Sequence, residues 1–286
     1  MEVRLEFLKP DEFEEALQAC PTLFLLIGVV EWHGLHNVLG LDALKAFKIC
    51  ERAALKGGGL VHPPHYGAVG GAEEQPTFIF DREEASESCY MVPWLEQWCR
   101  EAARNGFKAL ILLTGHYGAA QQMAVRSVAV KMSQVLGIPV LGIPEYFLAL
   151  DAEYYGDHAA YFETSLMMDL YPDTVDLNRL GEEPHRGVGG KDPKKYANTR
   201  DGESLNRLIT DRLARLAERM PLWSEKQLEA YICGEQAVLR RQLLLAKKYD
   251  TPWGGWRHMN AGFLNDYPRC LVEEDFQGLE SLACKM

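Results

Sequence analysis

The stretch Thr22 to Val30 is an unbroken apolar run rich in Leu, Ile, Val and Phe. Without polar alternation, such a run suits a strand buried on both faces, so the sheet containing it must be covered on each side. Lys108 to Leu113 is a second run of this kind and Ile138 to Ile143 a third. Between the second and third lies Ala119 to Leu136, which reads as a helix ended by Gly137. After the first comes Asp42 to Lys56, with Leu44, Phe47, Cys50 and Ala54 at helical spacing and Gly57-Gly58-Gly59 as the stop. Strand, helix, strand at this rhythm predicts βαβ units. The expected fold is α/β, a mostly parallel sheet sandwiched by helices.

The remaining segments are less regular. Leu60-Val61-His62 reads as a short strand stopped by Pro63-Pro64, and Thr77 to Phe80 as another strand. Arg82 to Asn105 reads as helical, broken or kinked at Pro93. His185 to Arg200, rich in Gly, Lys and Pro, reads as a loop, and Asp201 to Met220 as a closing helix. Residues 1–220 are therefore expected to form one domain and residues 221–286 a C-terminal extension. The extension begins with a long helix, Ser224 to Lys248, and continues into a Gly- and Trp-rich turn, Thr251 to His258.

Composition narrows the function classes. The 286 residues, 47% hydrophobic, suffice for one large domain with an added segment. No uninterrupted apolar stretch is long enough for a membrane span. The start, Met1-Glu2-Val3-Arg4-Leu5-Glu6, lacks the basic and apolar regions of a signal peptide, so a cytoplasmic location is expected. A net charge of −11 and a pI near 5.3 argue against nucleic acid or an anionic membrane as partner. They leave a small-molecule substrate open, because a bound cation reverses the local field. The seven cysteines form no C-x-x-C pair and read as reduced thiols rather than a zinc site or a disulfide framework.

In an open parallel sheet, ligands bind beyond the carboxyl ends of the strands. Glu31 and His33 lie just past the first strand, His116 just past the second, and Asp42 at the start of the intervening helix. Glu163 falls near the start of a later helix, so one rim collects all five. The i, i+2 spacing of Glu31 and His33 puts both side chains on one face of an extended segment. Each residue alone has an ordinary reading: Asp42 as an N-cap, Glu31 and His33 as solvated loop residues, His116 as a turn histidine, Glu163 as a first-turn carboxylate. Their ordered recurrence after strand ends favours a site. Imidazole plus carboxylate suits Zn, Mn or Fe, and Asp42 is the candidate bridge. Two ions about 3.5–4 Å apart could share and activate a hydroxide near neutral pH. His158 is about 140° around an ideal helix from Glu163. It is therefore expected in the preceding turn, free to act as general acid or proton shuttle.

These segments resemble the creatininase (creatinine amidohydrolase) family. Glu31-Trp32-His33-Gly34-Leu35-His36 through Gly40-Leu41-Asp42 is similar to its E-x-H-G-x-H…G-x-D. Thr114-Gly115-His116-Tyr117-Gly118 is similar to N-G-H-x-[GE], and His158 to Ser165 to H-x-G-x-x-E-T-S. Weaker likenesses are Pro63 to Gly67 and Gly187 to Pro193. The resemblance implies two divalent ions per chain, Zn or Mn and in some members Fe, and a homo-oligomer, often a hexamer. It implies that Glu31, Asp42 and His116 hold one ion, that His33, Asp42 and Glu163 hold the other, and that His158 is the acid–base residue. The implied activity is hydrolysis of a small polar, cyclic substrate, at a C–N bond of a cyclic amide or formamide. Alternatives are C–C hydrolysis of a cyclic polyol ketone or ligand binding without catalysis. Creatininases proper carry Glu where this chain has Gly118, and Thr114, Ala119, Ala160, Trp32 and Leu35 also depart from the pattern. Further candidates for substrate contact are His36, Tyr117, and Trp253, Trp256, Arg257 and His258 of the C-terminal turn. That turn either caps the rim, of its own or a neighbouring subunit, or packs on the outside.

Overall fold

A computed structural model of the chain describes residues 2–81, 90–251 and 259–285. Its centre is a parallel sheet built on β1 (Thr22–Gly28), β4 (Ala109–Thr114) and β5 (Val140–Pro144). The order is β2-β1-β4-β5, where β2 is Leu60–Val61; β3 (His65–Tyr66) also pairs with β1. Leu23 and Phe24 align with β2 while Ile27 and Gly28 align with β3, so the two short strands form one edge interrupted at Pro63-Pro64. Along β1 the side chains alternate between two cores. Phe24 and Leu26 enter one; Leu23, Leu25 and Ile27 enter the other. This double burial is what the continuous apolar run predicts.

Five helices cover the sheet. Against one face lie α2 (Leu41–Gly57), α5 (Tyr161–Leu170) and α7 (Thr199–Arg219), and against the other α3 (Met91–Arg104) and much of α4 (Ala119–Leu136). The second core also takes in α1 (Pro10–Ala19) through Phe13, Ala16 and Leu17. Gly137 ends α4 in the left-handed conformation at φ 65°, as its position in the sequence suggests. Pro93 neither breaks nor kinks α3. It sits in the first turn, where the missing N–H has no helical partner to lose.

Two further expectations change. Thr77 to Phe80 is not a strand: Phe78 makes one isolated antiparallel bridge to Val30, opposite a segment already leaving the sheet. The 185–200 loop contains a short helix, α6 (Pro193–Tyr196), capped by the Asp192 side chain on Lys194 N–H.

The start of α2 crosses directly over the ends of β1 and β4. Gly115 permits this, because a Cβ there would strike the Asp42 carbonyl oxygen. Asp42 is thereby wedged between the two strand ends.

Beyond α7, α8 (Glu225–Lys248) starts with the capping box of Ser224 and Gln227. It is followed by α9 (Ala261–Val272) and α10 (Phe276–Lys285). These helices share a hydrophobic core with β4, β5 and α4. The join is fastened by a buried polar cluster. Arg126 of α4 donates to Glu235 Oε2 at 2.8 Å and to Gln242, and Tyr267 donates to Glu235 Oε1 at 2.8 Å. No helix among the described residues is long and apolar enough to cross a membrane.

Replacing Glu235 with Leu would leave the Arg126 guanidinium buried without its counter-charge. The expected loss is about 3–5 kcal/mol, read as a lower midpoint in urea unfolding. The double change Arg126→Met, Glu235→Leu should recover most of it. A single variant as stable as the parent would show that this pair does not fasten the C-terminal helices.

Candidate metal centre

Glu31, His33, Asp42, His116 and Glu163 converge beyond the carboxyl ends of β1 and β4, each nearly or fully buried. Glu31 follows β1; its Oε2 accepts the Ala72 N–H at 2.8 Å and its Oε1 lies 2.9 Å from His116 Nδ1. Asp42, in the first turn of α2, does not cap the helix: the N-cap is Gly40, with no side-chain capping bond. Its two oxygens divide instead, Oδ1 lying 3.1 Å from His33 Nε2 and Oδ2 3.2 Å from His116 Nδ1. Glu163 Oε2 lies 4.0 Å from His33 Nε2. Asp42 thus belongs to two donor groups, Glu31–Asp42–His116 and His33–Asp42–Glu163, each with donor atoms within 4.8 Å of one another.

Several details suit these groups to a divalent ion. His33 Nδ1 lies 3.1 Å from the Glu31 carbonyl oxygen, to which it donates, so the neutral ring presents its Nε2 lone pair to Asp42 and Glu163. A ligating histidine is commonly oriented by such a carbonyl. Burial by itself would lower the His33 pKa, but Asp42, Glu31 and Glu163 outweigh it and raise it to about 9. The same contest pushes His116 well up, through Glu31 and Asp42. Burial would raise Asp42, and the two imidazoles reverse this and hold it well below the usual carboxylate range. Without a metal, protons on the histidines carry the positive charge that three buried carboxylates demand.

His158 lies in the turn before α5, its backbone paired in both directions with Gly189. Its ring packs 4.7 Å from that of His33. Nε2 lies 2.8 Å from the Trp32 carbonyl and donates to it, which leaves Nδ1 3.9 Å from Glu31 Oε1. The start of α5 is held by Asp157, whose carboxylate accepts the N–H groups of Phe162 and Glu163 at 2.7 and 3.0 Å.

Glu31, Asp42, His116 and Glu163 open into a cleft of about 900 Å³, lined also by Tyr117, Gln122, Tyr146, Tyr155, Asp157 and the 187–189 loop. Tyr117 thus borders the cleft, as its candidate role requires. His36 does not line it: its Nε2 lies 3.0 Å from Thr164 Oγ1 and 3.0 Å from Asn37 Nδ2, and burial lowers its pKa to about 4. Trp253, Trp256, Arg257 and His258 lie outside the described residues. Gly118 offers no room for a further donor, since a Cβ would lie 2.7 Å from His116 Nε2 and 2.8 Å from the Val69 carbonyl oxygen.

Sequence reasoning missed Lys45. It is fully buried, and its ammonium donates to Glu163 Oε1 at 2.6 Å, to Tyr117 Oη at 2.7 Å, and to Glu145 Oε1 at 2.9 Å. Burial would strip its proton, but Glu145, Glu163 and Asp42 keep it charged. The available signal was positional: Lys45 is one turn on from Asp42, on the face that also carries Ala46, Ile49 and Ala53.

Comparison with known proteins places these features in context. The sequence pattern of the family described as creatininase, creatinine amidohydrolase, matches residues 6–216. A creatinine amidohydrolase of Pseudomonas putida is 30% identical over 195 residues, covering 60% of this chain and 74% of that protein. A mutant creatininase of Zn–Zn type superposes with a TM-score of 0.63 at 26% identity, over 77% of this chain and 99% of its own. A manganese creatininase gives 0.62 at 25% identity, over 77% and 100%.

In the metal-free protein, the folded pKa of His33, about 9, lies above its ordinary value of 6.5. The stabilisation that its protonation provides is complete below about pH 6.5 and is lost as pH rises through 9. Urea unfolding of chelator-treated protein should therefore show stability declining across that window. His33→Gln should flatten the decline. An unchanged slope in that variant would refute the assignment.

Proposed function

Because this chain belongs to the creatininase (creatinine amidohydrolase) family of metal-dependent hydrolases, we propose that it hydrolyses a C–N bond of a small polar, cyclic amide or formamide at a pair of divalent ions, zinc or manganese. In this reading Glu31, Asp42 and His116 hold one ion, and His33, Asp42 and Glu163 hold the other. The observation that supports it most directly is the division of the Asp42 carboxylate between the two donor groups. When bound, such ions supply a water nucleophile at neutral pH and Lewis acidity at the scissile carbonyl.

The protein's own groups do the rest. The cleft holds a substrate of modest size among the Tyr117, Tyr146 and Tyr155 rings and the Gln122 amide. His158 manages the proton. Its Nε2–H is committed to the Trp32 carbonyl, so Nδ1 takes a proton and returns it to the leaving nitrogen. The 187–189 loop, paired to His158 through its backbone, keeps that ring at the cleft wall.

Hydrolysis of a C–C bond in a cyclic polyol ketone is the second reading. It draws on Gly118, where creatininases proper have Glu and where this backbone admits no side chain. A panel of lactams, formamides and cyclic ketones offered to metal-loaded protein separates the two. Products from ketones alone would favour the second. No turnover by fully loaded protein would leave a ligand-binding member of the family.

Asp42→Ala should lose both ions, because the carboxylate serves both groups; two ions per chain by elemental analysis would overturn the bridging assignment. His158→Ala should retain both ions and lose turnover by about 10²–10⁴-fold. Metal loss in that variant would make His158 a ligand, and an unchanged rate would remove it from the reaction.

A further inference from the structure

Lys45 has no counterpart among the five donors and His158, yet it touches one of them. An ammonium with no exposed surface is rare, because removing it from water is costly and is offset only when its N–H groups find acceptors. Here each does: Glu163 Oε1, Glu145 Oε1 and Tyr117 Oη. The acceptors are themselves tied together. Tyr117 donates to Glu145, so Tyr154 must donate to Tyr117, at 2.6 Å. Among the described residues, Glu145 Oε2 has no hydrogen-bond partner.

The two oxygens of Glu163 are made unequal. Oε1 is taken by the Lys45 ammonium at 2.6 Å, while Oε2 accepts the Ala159 N–H at 2.7 Å and faces His33. A carboxylate free to rotate would offer one oxygen or both. This one can turn neither oxygen without losing the Lys45 ammonium contact or the Ala159 N–H.

We infer that Lys45 is a positioning residue for Glu163, its buried ammonium taking one carboxylate oxygen and so fixing the other as the donor offered beside His33 and Asp42. This rests on the two-metal reading. It adds that one of the two ions depends on a lysine that touches neither ion nor substrate. The competing account is that Lys45 only neutralises Glu145 and braces Tyr117 and Tyr154 inside the fold.

Zinc affinities of the whole protein distinguish the two. Lys45→Met alone would strand Glu145, so the decisive variant is Lys45→Met with Glu145→Gln, which removes the buried pair together; Glu145→Gln alone is its control. The expected result is a double variant that remains folded and binds one zinc with parental affinity and the other at least tenfold more weakly. Glu145→Gln alone should bind both within about twofold of the parent. Two parental affinities in the double variant, or equal losses in both variants, would overturn the role of Lys45.

A measurement on the parent covers the case in which the double variant does not fold. Lys45 is the one fully buried lysine among the described residues, so its ¹⁵Nζ ammonium signal is protected from solvent exchange. That signal should shift as zinc fills the His33–Asp42–Glu163 group, and a signal unmoved through full loading would refute the inference. A parent that binds no zinc would instead refute the two-metal reading itself.

Discussion

Three carboxylates, Glu31, Asp42 and Glu163, are held close together where almost no water reaches them. Like charges at such distances in a low-dielectric interior repel strongly and are tolerated only with positive charge among them. The surrounding structure supplies it in layers. His33 and His116 stand against the carboxylates, and Lys45 stands behind Glu163. Backbone N–H groups take up remaining oxygens, Ala72 on Glu31 and Ala159 on Glu163. A cluster this acidic suits divalent cations, because each ion replaces a proton with two charges at the same place.

Helix α2 does two jobs. Its first turn delivers Asp42 over the strand ends, an approach that Gly115 leaves open. One turn later it delivers Lys45 on the same face, and further along that face it becomes ordinary core, with Ile49, Cys50 and Ala53. The position of the site therefore depends on the docking of α2 against β1 and β4, and on α7 packed behind it. Helix α4, which opens just after His116 and Tyr117, is anchored at Arg126 to helices outside the 6–216 family match. The C-terminal segment reaches the neighbourhood of the site through this anchor, by packing rather than by direct contact among the described residues.

Much of the architecture was legible because its causes are local. The runs at 22–30 and 108–113 suit strands buried on both faces, and Gly137 suits a helix end. The long helical stretch from Ser224 to Lys248 marked α8, whose capping box the structure then shows. The order of Glu31, His33, Asp42, His116 and Glu163 along the chain was visible too, since strand ends in a parallel sheet share a rim. The short segment at Thr77 to Phe80 misled because a short apolar run makes a strand only if a partner edge is free, and beside Val30 a single bridge is available. His36 misled in the same way: it is near the donors in sequence, but its ring turns to Thr164 and Asn37.

The sequence by itself determined which elements form, which residue types lie at their ends, and which family's motifs they carry. Those follow from periodicity, capping and spacing, all of them short-range. Tertiary structure decided which oxygens face which nitrogens. That the two Asp42 oxygens are divided between His33 and His116, and that His158 is held by the Trp32 carbonyl, depends on segments tens of residues apart meeting. So does the burial of Lys45, which in the chain is an unremarked lysine in a helix. Its charge acquires a purpose only when Glu145, just past the end of β5, and Glu163 of α5 arrive to meet it, because the energy of a buried charge is set by its neighbours in space.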